Sequence, residues 1–178
     1  MNADGTNEQL IVNNPADDVH PSWSPDGSRI LFERLGNIFA VSADGTGEQQ
    51  IIGETSAESA SVWSPDGTKI VFMHADTSND DGDPINEQVW IMDANGAHKR
   101  QLTFDALEKD KLPDWSPDGT KIAYSAGLPG SGGTWVMNAD GTNQHQLSGC
   151  VAGDPQPCPA GDEFGAAWSP DGTKIAFL

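Results

Sequence analysis

A chain of 178 residues with a formal net charge of −18, 20 glycines and 12 prolines is composed for short strands and tight turns, not for long helices. The acidity sets nucleic-acid phosphates and anionic membrane surfaces against it as partners, leaving cations, basic proteins and neutral ligands. No stretch is long and apolar enough to cross a bilayer as a helix.

In chain order, residues 1–7 read Met-Asn-Ala-Asp-Gly-Thr-Asn, and the same seven letters return at 137–143. The sequence is therefore expected to open inside a repeat, at the turn before an outer strand over 8–12. An export signal upstream of such a start would not be visible. Next comes Trp-Ser-Pro-Asp-Gly at 23–27, repeated at 63–67, 115–119 and 168–172. Each copy runs on through Ser or Thr, a base, Ile, a small or branched apolar residue and an aromatic, as in Ser28-Arg29-Ile30-Leu31-Phe32.

The pentapeptide has the chemistry of a hairpin. Ser24 opens a type I turn, Pro25 brings a preset φ to the second position, and Gly27 closes it. Glycine in the left-handed region supplies the bulge that fits such a turn to a twisted ladder. Trp23 then ends a strand A, and strand B begins after the turn. Strand C is expected over 37–41, 88–92 and 134–137, followed by a second turn such as Ser42-Ala43-Asp44-Gly45. A short strand D is expected over 49–52, 99–102 and 144–147. The unit is a four-stranded antiparallel meander of roughly 40–50 residues, the size of a propeller blade. The fold class predicted is all-β: one β-propeller array over 1–178, with four repeats.

The pattern Trp-Ser-Pro-Asp-Gly, then Lys-Ile-Ala-Phe, then Val-Met-Asn-Ala-Asp-Gly resembles the repeat of TolB-like β-propeller proteins and covers nearly the whole chain. The resemblance implies a protein-binding or scaffolding propeller, periplasmic or extracellular, that engages a protein or small ligand through its loops or axial channel. Similar blades also serve as lids of prolyl-oligopeptidase-type enzymes. The alternative is thus the regulatory propeller of a serine peptidase whose catalytic domain is not in this sequence.

Catalytic signatures are scarce. Neither a Gly-x-Ser-x-Gly elbow nor His-Glu-x-x-His nor a phosphate loop occurs, and no enzymatic activity is expected. His20, His74, His98 and His145 fall at unequal repeat positions. Five residues before each repeated tryptophan stands an acid: Asp18, Glu58, Asp110 and Glu163. Strand A is the innermost of a blade, so four such carboxylates would ring the axis. A ring of that kind suits calcium, a hard ion taking six to eight oxygens. Equally, each carboxylate could cap a turn or bond amides within its own blade. The run 76–83 is rich in Asp but lacks EF-hand spacing, and reads as a solvated loop between strands B and C.

Cys150 and Cys158 share one loop and are the chain's two cysteines, so a disulfide in an oxidising compartment is expected. Trp23, Trp63, Trp115 and Trp168 are expected in the core between blades, with Trp90 and Trp135 sharing a strand C position with Phe39. The pieces at the two ends lack a strand C between them. The strand at 8–12 is therefore expected to complete the last blade, within one chain or across a homodimer that closes an eight-bladed ring.

Overall fold

The computed structural model describes residues 1, 3–53, 57–78, 84–104, 112–127, 132–149 and 165–177. Among these, all regular structure is antiparallel sheet. The first sheet runs β1 (Asp18–Trp23), β2 (Arg29–Arg34), β3 (Asn37–Ser42) and β4 (Gln49–Ile52). The second runs β5 (Ala57–Trp63), β6 (Lys69–Ser78), β7 (Pro84–Asp93) and β8 (Arg100–Gln101). β9 (Asp114–Trp115), β10 (Lys121–Ala126), β11 (Gly133–Asn138) and β12 (His145–Gln146) make the third. β13 (Ala167–Trp168) and β14 (Ile175–Ala176) pair as the fourth. The first three sheets are four-stranded meanders in chain order, each built as a blade, and the fourth is a two-stranded hairpin in the position of the next.

The turn after each tryptophan is held by its own side chains. Gly27 N donates to Ser24 O (2.8 Å), Ser24 Oγ to Asp26 Oδ1 (2.6 Å), and Arg29 N to Ser24 Oγ (2.9 Å). Gly27, Gly67, Gly119 and Gly172 all sit at φ between 69 and 70°, where glycine carries no steric penalty. The serine hydroxyl, with the Ser28 or Thr amide behind it, holds Asp26, Asp118 and Asp171 down at about 2; Asp66 is lowered by the same bonds. The turns therefore keep their charge deep into acid.

The second turn carries the packing between blades. Gly45 lies at φ +83° and Gly96 at +86°. A Cβ on Gly96 would stand 2.6 Å from Ile51 O, and one on Gly45 would stand 2.6 Å from Ile11 O. Each second turn thus closes onto the outer segment of the blade before it. Residues 8–12 follow that course but form no strand, a departure from expectation. Their place is that of an outer strand, and among the described residues no strand pairs with them. Within the chain they do not join β13 and β14, which stand alone in their sheet.

Packing between blades follows a direction. Trp63 is 6% exposed, packed with Leu31, Ile38, Ala40 and Ile52 of the first blade. Trp115, also 6% exposed, clusters with Val71, Val89, Ile91 and Leu102 of the second. Trp168 packs on Ala123 and Val136 of the third. Every one of these tryptophans is covered by the preceding blade. Trp23 was expected in the core with them but is 60% exposed, since among the described residues nothing packs on it as Leu31 and Ile38 pack on Trp63.

Cross-strand aromatic pairs strengthen the blades from within. Phe32 stacks on Phe39 (5.6 Å between centroids) and Tyr124 on Trp135 (6.4 Å). The run 76–83 departs from a plain loop. The ladder continues through Thr77 opposite Ile85 and Ser78 opposite Pro84, so the insertion lengthens a hairpin; 79–83 lie outside the described residues.

Candidate functional site

An up-and-down blade sends its A–B and C–D turns to one face and its B–C and D–A connections to the other. The turn face repeats. Three grooves there, of about 490, 790 and 220 Å³, lie between successive Pro-Asp-Gly turns, with Trp63, Trp115 and Trp168 in their linings. The connection face does not repeat. Strands β2 and β3 are joined by Leu35 and Gly36 alone, whereas 79–83 join β6 to β7 and 127–132 join β10 to β11. In repeat arrays, insertions of this kind map to loops on one face, often the binding one.

The acidic positions ahead of the tryptophans begin on that face. Asp18, at the start of β1, is taken up by Arg34 directly opposite, Nε to Oδ1 at 2.6 Å and Nη2 to Oδ2 at 3.1 Å. Arg34 also reaches Glu48 (2.8 Å) and lies over the rings of Phe32 and Phe39. Glu58 is fully buried and faces His74 (3.2 Å), whose ring stands 4.7 Å from that of Trp90. Asp18 and Glu58 thus each meet a basic group of their own blade. At the equivalent position the third blade carries Ala126. Asp110 and Glu163 lie outside the described residues, as do Cys150 and Cys158. Among the described residues no three His, Cys, Asp or Glu side chains are grouped to share a metal ion.

Residues that break the repeat were missed by reading for what recurs. Glu33 stands where Met73 and Ser125 stand in the next two blades. Its buried carboxylate meets His20 Nδ1 (2.8 Å) and accepts Ser61 N of the second blade (3.3 Å). Asp114 stands where Ser22, Val62 and Ala167 stand, and its Oδ2 accepts Trp168 N of the fourth blade (2.8 Å). Burial pushes both carboxyls up. His20 occupies a left-handed bulge (φ 50°) shared with Ala60 and Gly165, so the bulge belongs to the fold and the histidine to this blade. Aligning the copies on tryptophan and asking which polar residues depart from the rest would have found Glu33, His20 and Asp114.

Leu35 is the sharpest departure. It sits at the tip of the β2–β3 hairpin at φ 51°, followed by Gly36 at φ 71°, and is 82% exposed. Such a turn favours Asn-Gly or Asp-Gly, and a left-handed residue with a Cβ costs about 1–2 kcal/mol. The two-residue turn itself requires the positive φ, and Gly36 O accepts Glu58 N of the second blade (2.9 Å), so the fold accounts for the turn but not for an exposed leucine in it.

Comparison with known proteins identifies the fold. The TolB beta propeller domain matches residues 1–157. TolB from Acinetobacter baumannii superposes with a TM-score of 0.78 at 18% identity, over 98% of this chain and 41% of that one. A chain of a nidogen/laminin complex gives 0.72 at 13% identity, over 97% and 60%. An oligogalacturonate lyase in complex with manganese gives 0.71 at 17%, over 94% and 48%. In sequence, an uncharacterized protein of Agrobacterium fabrum is 30% identical over 77 residues, 42% of this chain and 26% of that protein. The chain thus spans less than half the length of either the Acinetobacter or the Agrobacterium protein.

Proposed function

The chain belongs to the TolB beta propeller domain family, and from that premise we propose that it is a binding propeller without catalysis of its own, taking a protein or small ligand on its connection face. The observation that carries this reading is Leu35, exposed and strained where neither packing nor turn preference asks for it. Phe104, at the start of a D–A connection, is also exposed. The turn face offers self-satisfied aspartate turns instead.

Leu35→Asn separates function from stability. It should stabilise the fold by about 1 kcal/mol, since Asn tolerates the left-handed region. The same variant, immobilised and exposed to a soluble extract of the native host, should retain less of whatever the parent chain retains. Asn95→Asp on the turn face should leave retention unchanged. Equal retention by Leu35→Asn, or loss in Asn95→Asp alone, would contradict the assignment of faces.

A site outside the cytoplasm, periplasmic or extracellular, fits this role. Support comes from the family and from two cysteines eight positions apart. A disulfide between Cys150 and Cys158 should leave no thiol to alkylate in unreduced protein. Two labelled cysteines would count against export to an oxidising compartment.

A further inference from the structure

The first two grooves of the turn face are built alike and filled differently. Each lies between two Pro-Asp-Gly turns, beside the tryptophan of the following blade. In the first, Arg29 reaches over Trp63, its guanidinium carbon 6.0 Å from the ring centroid, with Asp26 and Asp66 in the same lining. The cross-strand neighbour of Arg29 is Ser42, which offers no charge to draw it away. In the second groove the base at the same position is Lys69, and its cross-strand neighbour is Asp93. Lys69 Nζ donates to Asp93 Oδ1 (2.5 Å). Among the described residues no basic group lies over the Trp115 ring, and this groove is the larger, about 790 Å³ against 490. We propose that the second groove binds a small organic cation, a guanidinium above all, in the place that Arg29 takes over Trp63.

The charges of the lining agree. Lys69 and His98 share Asp93, and Arg100 is braced at Asp140, whose backbone oxygen accepts its Nη1 (2.9 Å). Asp66 and Asp118 have no basic partner among the described residues. They accept bonds from the hydroxyls of Ser64 and Thr68 and of Ser116 and Thr120, which keep both carboxylates ionised. A cation entering between them meets two negative charges left unneutralised. Ile91, Met92 and Trp115 give its carbon body an apolar lining, and volume and lining together suit a small molecule. The net charge of −18 gathers cations around the chain. An exposed cation–π contact and two surface ion pairs are each weak, so a dissociation constant of about 1–20 mM is expected. The site is separate from the connection face and from the partner proposed there.

Fluorine NMR of the intact chain carrying 5-fluorotryptophan, at low ionic strength, reads the site with N-acetyl-argininamide as the probe. The Trp115 resonance should shift saturably while that of Trp63 holds. N-acetyl-citrullinamide, of the same shape without the charge, should shift neither. Asp93→Ser gives Lys69 the neutral neighbour that Arg29 has. The lysine should then fold over Trp115 and weaken probe binding about tenfold or more. Adding Lys69→Ala to Asp93→Ser should restore binding to within about threefold of the parent chain, which separates a filled groove from a merely lost charge. Ser42→Asp should do the converse, drawing Arg29 off Trp63 so that the Trp63 resonance answers the probe as well. No saturable shift at Trp115 up to about 100 mM probe, or an equal response to the citrulline compound, would overturn the proposal. So would full binding in Asp93→Ser, a double variant as weak as Asp93→Ser alone, or a silent Trp63 in Ser42→Asp.

Discussion

Trp63→Ala is expected to cost about 3–5 kcal/mol, the range for a large buried aromatic replaced by a methyl group, while Trp23→Ala is expected to cost about 0.5 kcal/mol or less, as an exposed site does. The two residues share a motif, a turn and a strand register; Trp23 faces Ile30 across its ladder as Trp63 faces Ile70. They differ in what lies beyond. Trp63 closes against Leu31, Ile38, Ala40 and Ile52, and Trp23 is open. Chemical denaturation of both variants measures the contrast directly. Equal costs would mean that the tryptophan stabilises its own blade and not the junction.

Gly96→Ala should cost about 2–5 kcal/mol, combining about 1–2 for a Cβ in the left-handed region with about 1–3 for overpacking. The second part arises because the new methyl would meet Ile51 O at 2.6 Å and Ile51 Cγ2 at 3.3 Å. A backbone carbonyl cannot swing aside as the end of a side chain can. Gly27→Ala isolates the first part, since Gly27 has a similar φ and nothing within 4 Å of the added carbon. A midpoint shift at Gly96 no larger than at Gly27 would show that the junction yields at little cost.

The fold was legible because the signals for it are local and repeated. Pro25 and Gly27 specify a turn through their own backbone limits, and four copies remove chance as an explanation. The outer strands over 99–102 and 144–147 proved shorter, at Arg100–Gln101 and His145–Gln146, since strand ends depend on neighbours that the sequence does not show. Trp23 misled for the same reason. Its letters match those of Trp63, and its burial depends on a blade from elsewhere. The site was harder to read. Asp18 and Glu58 stood out by recurring, yet their partners Arg34 and His74 differ between blades. Glu33 and Asp114 were invisible to a search for repetition because they are its exceptions, and only the register places them opposite amides of the next blade. Leu35 reads as an ordinary hydrophobic residue until its φ is known.

The arrangement as a whole rests on one direction of packing, in which each repeated tryptophan is covered by the blade before it. Fluorine NMR of chain labelled with 5-fluorotryptophan, titrated with a soluble paramagnetic agent in dilute solution, tests this most directly. The resonance of Trp23 should broaden strongly and those of Trp63 and Trp115 hardly at all, in keeping with 60% exposure against 6% for each of the others. Trp23 as well shielded as Trp63 would contradict the account.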